Sequence, residues 1–268
     1  MSPSAEITLT AQKAELLRSL HIPGDPLIVT NVWDAVTART VAAAPGVKAL
    51  ATASHAVSFA HGVADGEGLS LDQALAAASL ITQAVDIPVS VDFEKGYAKD
   101  VTALEHSIAR LIAAGAAGLN IEDSIGPAKA PLFPLEVATE RVATVRRTAT
   151  TLGVPLVINA RVDVLAGGGE WDDMVRRANS YLGAGADVVF VLGLGTEDKV
   201  KRALDEIDGK VSVISNPTSV PLKRLAELGV SRVSFGPGTL GLTLSHLQRA
   251  AAQLTALGEY PEELGFAY

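Results

Sequence analysis

Three short apolar runs of the chain carry charged side chains at their ends. Asp92 and Glu94 stand at the end of one run, and Glu122 ends the next. Arg161 follows a third run. Carboxylate oxygens are hard ligands that suit Mg²⁺ or Mn²⁺, and a guanidinium can hold a substrate carboxylate through two parallel hydrogen bonds. These residue types therefore predict a divalent-metal site that binds a small organic acid.

Each of these residues also has a purely structural interpretation. A single Asp after a strand is commonly a helix N-cap or a turn residue. Arg161 could instead form an ion pair with Glu122 or Asp163. The occurrence of two carboxylate-bearing ends and one guanidinium at three successive runs favours the functional interpretation.

The runs themselves are typical of parallel strands that are covered on both faces, because they are apolar throughout. They are Pro26–Thr30, Val47–Ala53, Pro88–Asp92, Gly118–Glu122, Pro155–Ala160, Asp187–Leu192, Lys210–Ile214 and Arg232–Phe235. Helical patterns separate them, among them Leu71–Val85, Val101–Ala114, Val137–Leu152, Trp171–Leu182 and Leu222–Leu228.

This alternation predicts an α/β fold, a (β/α)₈ TIM barrel in one domain spanning residues 1–268, with its site at the carboxyl ends of the strands. A doubly wound open sheet is the alternative, but its glycine-rich phosphate turn is missing from Asn31–Asp34 after the first strand. Thr10–Leu20 predicts an extra N-terminal helix. Gly236–Thr239, after the last strand, is either a phosphate-binding turn or a helix entry.

Composition excludes several classes of function. The 268 residues include 22 Lys and Arg against 30 Asp and Glu, which gives a net charge of −8. This charge argues against nucleic acid or an anionic membrane as the main partner. The chain has no cysteine, which excludes thiolate metal sites and cysteine-dependent catalysis. The N-terminus lacks signal-peptide features and no apolar run reaches the roughly 18 residues that span a bilayer, so we expect a soluble, cytoplasmic protein.

Taken together, six segments resemble the isocitrate lyase/phosphoenolpyruvate mutase superfamily, in particular its short phosphonomutase-like members. They fall in the family's order from about residue 25 to residue 240. The segments are Asn31-Val32-Trp33-Asp34-Ala35, Ala51-Thr52-Ala53-Ser54, Gly62-Val63-Ala64-Asp65-Gly66-Glu67-Gly68, Asp92-Phe93-Glu94-Lys95-Gly96-Tyr97, Asn120-Ile121-Glu122-Asp123 and Ala160-Arg161-Val162-Asp163.

The resemblance implies a barrel that binds Mg²⁺, with Mn²⁺ as a substitute, and a small anionic 2-oxo acid that passes through an enolpyruvate-like anion. It identifies Asp92 as the direct metal ligand. Asp65, Glu94 and Glu122 are expected to contact the metal mostly through metal-bound waters. The expected catalytic residues are Arg161, Glu122 and Asp65.

The resemblance also implies a substrate site and an assembly. Backbone N–H groups of Ser54, His55 and Ala56 are expected to hold the carboxylate or enolate oxygen of the substrate, and Arg161 is the second anchor. Family members are typically tetramers in which the last helix packs on a neighbouring barrel. Leu240–Leu254 is apolar enough for such a swapped helix, and equally for a helix docked on its own barrel.

The segment after the fourth strand departs from the family patterns. The isocitrate and methylisocitrate lyases carry Lys-Lys-Cys-Gly-His there, whereas Asp123–Pro131 has neither cysteine nor histidine. The phosphonate-handling members use a Lys and an Asn, and here Lys129 has no accompanying Asn. We also expect Asp123–Pro134 to act as a gate over the site.

These departures favour a Mg²⁺-dependent lyase that cleaves a C–C bond in a small 2-oxo or 2-hydroxy acid, as in oxaloacetate decarboxylation. The alternatives are C–P chemistry, of the phosphonomutase or phosphonopyruvate hydrolase type, and a metal-free barrel for a phosphorylated metabolite. A non-catalytic metabolite-binding barrel is a further alternative.

Overall fold

A computed structural model describes residues 3–126 and 131–266. Eight parallel strands close in chain order into a barrel, with β8 pairing with β1. They are β1 Leu27–Val32, β2 Leu50–Thr52, β3 Val89–Asp92, β4 Gly118–Glu122, β5 Val157–Val162, β6 Val188–Val191, β7 Val211–Ile214 and β8 Arg232–Ser234. The predicted TIM barrel is confirmed, and the open sheet is wrong.

Helices surround the barrel, and those that dock along it bury apolar residues against the strands. They are α1 Pro3–Ser19, α2 Ala35–Ala42, α3 Ser54–Ala60, α4 Leu71–Gln83, α5 Val101–Ala113, α6 Leu135–Thr151, α7 Trp171–Gly183, α8 Glu197–Glu206, α9 Leu222–Leu228 and α10 Gly238–Thr255. A 3₁₀ turn follows at Glu262–Gly265. Side chains of Asp34, Ser70 and Asp100 accept hydrogen bonds from the N-terminal turns of α2, α4 and α5, as N-caps do.

Strand β5 and the segment after β2 differ from the prediction in a way that affects the site. β5 runs two residues further than predicted, so Arg161 lies inside the strand and pairs in register with Glu122 of β4. The segment that begins at Ser54 is not an open turn but the first turn of α3. A helix start leaves its first backbone N–H groups without partners inside the helix, so these groups are still directed out of the helix end.

Helix α1 closes the amino-terminal end of the barrel. It begins at Pro3 rather than at the predicted Thr10. Leu17 is buried against Gly118, where a Cβ atom would lie 2.9 Å from the Leu17 Cδ2 atom. Lys13 Nζ and Arg18 Nη2 donate to the carbonyl groups that precede β3 and β5, those of Val85 and Pro155. The opposite, carboxyl-terminal end therefore remains open for a site.

Helix α10 leaves the barrel instead of docking along it. Leu240, near its start, is buried, and Thr239 Oγ1 donates to the Asn31 carbonyl group at 2.7 Å. Farther on, Leu242 and Leu247 are 69% and 63% exposed. The helix thus carries exposed leucines that its own barrel does not cover. Within residues 3–126 and 131–266, no helix is long and apolar enough to cross a membrane.

Candidate active site

A cavity of about 210 Å³ opens at the carboxyl ends of the strands, where TIM barrels hold their active sites. Five of the predicted site residues line it: Ser54, His55, Asp65, Asp92 and Arg161. Three others are not part of this lining: Ala56, Glu94 and Glu122. The carboxylates of Glu94 and Glu122 lie behind the cavity wall, where neighbouring residues hold them.

Asp92 is the carboxylate that neighbouring strands orient most completely. The backbone N–H of Ser54 donates to Asp92 Oδ2 at 2.9 Å, and Asn120 Nδ2 lies 3.3 Å from Oδ1. The Asp92 backbone N–H itself donates to Thr52 Oγ1 at 2.8 Å. Hydrogen bonds from β2, α3 and β4 thus fix this carboxylate at the cavity wall, and they commit the Ser54 N–H to Asp92.

A buried polar chain continues below Asp92 into the barrel. Asn120 Oδ1 accepts hydrogen bonds from Asn159 Nδ2 at 2.8 Å and from Arg232 Nη1 at 3.1 Å. Arg232 is 2% exposed, and burial lowers the pKa of its guanidinium to about 10, against the opposing influence of Asp92. None of these three residues was predicted as a site residue. Polar side chains at inward positions of apolar strands are the signal that would have found them.

Glu94 is held in a clasp between the loop after β3 and the loop before α4. Tyr97 OH donates to Glu94 Oε1 at 2.7 Å, and the Glu67 backbone N–H donates to Glu94 Oε2. Glu67 also accepts from the Tyr97 backbone N–H at 2.6 Å and pairs with Lys95 Nζ at 2.9 Å. Glu67, Glu94 and Tyr97 all have φ between +49° and +64°, a region that costs non-glycine residues energy. Mutual hydrogen bonds maintain this strained arrangement.

Arg161 lies between two carboxylates. Its Nη1 atom is 2.6 Å from Glu122 Oε2, and its Nε and Nη2 atoms donate to Asp163 at 2.7 and 2.8 Å. The ion pairs that the structural interpretation predicted are therefore present. These contacts use three of the five N–H donors of a guanidinium. The two remaining donors belong to a side chain that lines the cavity.

Behind Asp163 lies a second network that the sequence analysis did not identify. Asp123 Oδ1 accepts from the Asp163 backbone N–H at 3.0 Å, and Asp123 Oδ2 accepts from Tyr181 OH at 2.8 Å. Arg177 Nη1 lies 3.4 Å from the same Oδ2 atom. Ser124 Oγ donates to Asp163 Oδ2. Burial raises the pKa of Asp123. This network holds the end of β4 and the backbone that carries Arg161.

Asp65 and His55 form the outer rim of the cavity. His55 Nδ1 lies 3.8 Å from Asp65 Oδ2, and the two side chains are 52% and 38% exposed. The His55 ring stacks on Phe59 with a centroid distance of 6.4 Å. Both predicted residues are thus in contact with solvent at the entrance.

The positions of the carboxylates determine how a divalent cation could bind at this site. Within residues 3–126 and 131–266, no three His, Asp or Glu residues stand close enough to hold a metal ion together. Asp92, Glu94 and Glu122 therefore do not form a common three-carboxylate site. A single direct carboxylate with several retained waters is, however, a usual mode of Mg²⁺ binding, and Asp92 lines the cavity.

The electrostatics of these carboxylates also suit a cation. The pKa of Glu94 is raised to about 7, chiefly by burial and also by the negative charges of Asp65 and Asp92, while the hydrogen bond from Tyr97 opposes the shift. Burial likewise raises the pKa of Glu122, and Asp92 adds to this while Arg161 opposes it. A divalent cation beside Asp92 would relieve this repulsion between carboxylates. The residues present therefore fit a metal held directly by Asp92 and through water by the others.

Lys129 of the predicted gate lies outside the described residues. In the described flanks of this segment, the Ile125 backbone N–H donates to the Pro131 carbonyl group at 2.9 Å, and the Phe133 backbone N–H donates to the Asp123 carbonyl group at 2.8 Å. The two flanks of the segment thus lie against each other beside the end of β4. Closure of a gate stays a prediction.

Comparison with known proteins gives a consistent result. The family model described as phosphoenolpyruvate phosphomutase matches residues 17–255. The phosphoenolpyruvate phosphomutase of Streptomyces hygroscopicus is 30% identical over 75% of this chain and 65% of its own. The 2-methylisocitrate lyase of Escherichia coli is 28% identical over 62% of this chain and 57% of its own.

A solved structure agrees with these relatives. A Burkholderia cenocepacia crystal structure, assigned provisionally as a phosphonomutase, superposes with a TM-score of 0.86 and 37% identity. It covers 90% of this chain and 100% of that one. Mutases and lyases thus both occur among the chain's relatives.

Proposed function

Because the chain belongs to the phosphoenolpyruvate mutase/isocitrate lyase superfamily, we propose that it is a Mg²⁺-dependent lyase that cleaves a C–C bond in a small 2-oxo acid. Oxaloacetate decarboxylation is the simplest such reaction. The observation that supports the proposal most is the orientation of Asp92 by Ser54 and Asn120 at a cavity that Arg161 also lines.

Asp92 would hold the metal directly, and Asp65, Glu94 and Glu122 would contact its waters. When bound, the cation supplies Lewis-acid polarisation of the substrate carbonyl group. Arg161 offers its two remaining N–H donors to the substrate carboxylate, and the Glu122 and Asp163 ion pairs keep the guanidinium plane in place. Positioning of this kind lowers the barrier by fixing the reacting groups before the reaction.

The first turn of α3 supplies the other substrate contact. The Ser54 N–H is committed to Asp92, so the N–H of His55, which lines the cavity, is the first donor proposed for a substrate oxygen, and the N–H of buried Ala56 is the next along the same turn. Donors that are fixed before the reaction stabilise negative charge as it develops there. His55 and Asp65 lie at the rim of the cavity, between the proposed substrate site and solvent.

C–P bond chemistry is the second candidate, because the family model and the Streptomyces hygroscopicus relative carry the phosphomutase name. A phosphonyl group needs several cationic or amide donors. Lys129 is the residue that could serve as one of them, and it has no Asn beside it in the sequence. The same loop lacks the cysteine of the long-chain lyases, so we expect negligible cleavage of isocitrate and methylisocitrate.

We further propose that the protein is a homo-oligomer, a tetramer by family resemblance, whose α10 helices pack on neighbouring barrels. The exposed leucines of α10 support this arrangement, since apolar side chains grouped on one helix favour burial against a partner.

A metal-supplemented screen of 2-oxo acids and phosphonates tests the proposed function. Pyruvate, inorganic phosphate and phosphoenolpyruvate are measured in parallel. The proposal predicts Mg²⁺-dependent pyruvate release from oxaloacetate without phosphate release from phosphonopyruvate. Faster turnover of phosphonopyruvate would favour the second candidate, and binding without turnover of any acid would favour the non-catalytic alternative.

A further inference from the structure

The cavity has two chemically different walls. Its polar wall comes from the ends of β2 to β5 and carries Ser54, Asp92 and Arg161. The opposite wall comes from the ends of β6 and β7 and consists of Phe190, Leu192 and Ile214. In a closed eight-stranded barrel β6 stands across from β2, and β7 stands across from β3. A ligand held at Asp92 therefore extends toward the apolar wall.

This apolar wall is firmly packed. Phe190 is 6% exposed and pairs in register with Arg161. Gly236 has φ +53°, and a Cβ atom there would lie 2.7 Å from Ile214 Cδ1. The backbone after β8 thus approaches the Ile214 side chain closely, and a larger residue at Gly236 would collide with it.

The three side chains of this wall carry no charge, and among the described residues of the cavity lining the bordering cation is Arg161, on the strand next to Phe190. Arg161 is the arginine that lines the cavity, and Glu122 and Asp163 already neutralise it. His55, when protonated, lies beside Asp65. A second carboxylate of a ligand that reached β6 and β7 would lose its hydration there without an ion-pair partner among the described residues.

We propose that the apolar wall receives the C4 end of the substrate and destabilises a carboxylate at that position relative to the carbon dioxide that it becomes. The inference rests on the proposed decarboxylation. The C3–C4 bond breaks, its electron pair passes to C3 and on to the C2 oxygen as the pyruvate enolate, and C4 leaves as neutral carbon dioxide. Water then delivers a proton to C3.

The charge of C4 disappears in this step. An apolar surface binds the charged ground state poorly and tolerates the transition state, in which the C4 charge is already decreasing, so it accelerates the reaction without tightening substrate binding. A ligand with an apolar group at the same position should bind well. The isostere 4-methyl-2-oxopentanoate, in which an isopropyl group replaces the C4 carboxylate of oxaloacetate, has such a group and cannot lose carbon dioxide.

Two 2-oxo acids test the wall by calorimetry in the presence of Mg²⁺. Pyruvate lacks the C4 group, and 4-methyl-2-oxopentanoate places an isopropyl group against the wall. We expect the branched acid to bind about tenfold or more tightly than pyruvate, from the burial of its apolar surface. Equal or weaker binding of the branched acid would overturn the inference.

The variant Ile214→Lys tests the effect on the reaction, with Ile214→Met as the uncharged control of similar length. The lysine supplies the missing cation, so we expect KM for oxaloacetate to fall, kcat to fall about tenfold or more, and the preference for the branched acid to disappear. Leu192→Lys and Leu192→Met repeat the test at the neighbouring strand end. Oxalate binding, which involves only the polar wall, should be unchanged in every folded variant.

The two proposals fail in different ways. If the branched acid is preferred but no variant releases pyruvate, the proposed function is wrong and the wall stands as a determinant of binding specificity. The proposed role of the wall is wrong if the wild-type protein decarboxylates oxaloacetate and Ile214→Lys raises kcat. It is also wrong if kcat and KM for oxaloacetate are the same in Ile214→Lys as in Ile214→Met.

Discussion

Arg161 and Glu122 form an ion pair across paired positions of β5 and β4, with Nη1 2.6 Å from Oε2. Asp163 holds the other edge of the same guanidinium. Two carboxylates thus fix the plane of the side chain from two sides. A structural ion pair and a substrate anchor are compatible in one residue here, because the guanidinium keeps donors that neither carboxylate uses.

Arg161→Lys should lower kcat/KM for pyruvate release by roughly 10- to 100-fold, because an ammonium group cannot serve both carboxylates and the substrate in one plane. Arg146→Lys is the matched control. Arg146 pairs with Asp187 at the opposite end of the barrel, and its substitution should not change turnover. Unchanged turnover in Arg161→Lys would leave Arg161 with a structural role alone.

Tyr97→Phe should lower the free energy of unfolding by about 1–2 kcal/mol, because Glu94 loses a buried hydrogen bond. Chemical denaturation measures the change. Tyr260→Phe, at an 80% exposed position, is the control and should have no effect. Equal stability of the two variants would mean that the clasp between the loops does not depend on this hydroxyl.

Stability should fall in acid because of His21. Its ring is 2% exposed, and burial lowers its pKa to about 3, with the charge of Arg232 adding to the effect. Between an unfolded pKa near 6.5 and the folded value, the unfolded chain binds a proton that the folded chain does not. The stability that neutral His21 provides is therefore complete above pH 6.5 and is lost as pH decreases toward 3.

The measurement compares wild type with His21→Asn in urea unfolding at several pH values. The wild type should lose roughly 1.4 kcal/mol per pH unit more than the variant below pH 6.5. His106→Asn, at an exposed position, should retain the wild-type dependence. Parallel curves for wild type and His21→Asn would show that the His21 ring is protonated in the folded protein.

Light scattering after gel filtration should show a mass several times the 27.7 kDa of the chain. The double change Leu242→Glu and Leu247→Glu places charges at two exposed leucines of α10 and should reduce that mass. Leu80→Glu, on α4 at 64% exposure, is the control. A monomeric wild type would contradict the proposed packing of α10 on a neighbouring barrel.

The fold could be predicted because apolar strands and amphipathic helices alternate regularly along the chain. Gly118–Glu122 and Leu222–Leu228 have the predicted bounds. The start of α1 was placed too late because the helix has only a weak apolar face, and its buried residues begin near Thr10. The hydrophobic pattern therefore predicts the bounds of an element more accurately where the element is clearly buried than where its apolar face is weak.

The site could be predicted only in part. Strand ends identified Asp92 and Arg161, since a barrel brings such ends together. The Glu94 clasp depends on positive φ angles and on a distant loop residue, Glu67, and no local pattern shows that pairing. The apolar wall was missed because Phe190 and Ile214 look like ordinary core residues in sequence, and only strand order places them opposite Asp92.

Pyruvate release from oxaloacetate, compared between wild type and Asp92→Ala at equal Mg²⁺, tests the central claim most directly. We predict release well above the rate with free Mg²⁺ in the wild type, and loss of both this release and calorimetric Mg²⁺ binding in a folded Asp92→Ala protein, because the direct ligand is gone. Wild-type release no faster than free Mg²⁺, or unchanged Mg²⁺ binding in Asp92→Ala, would contradict it.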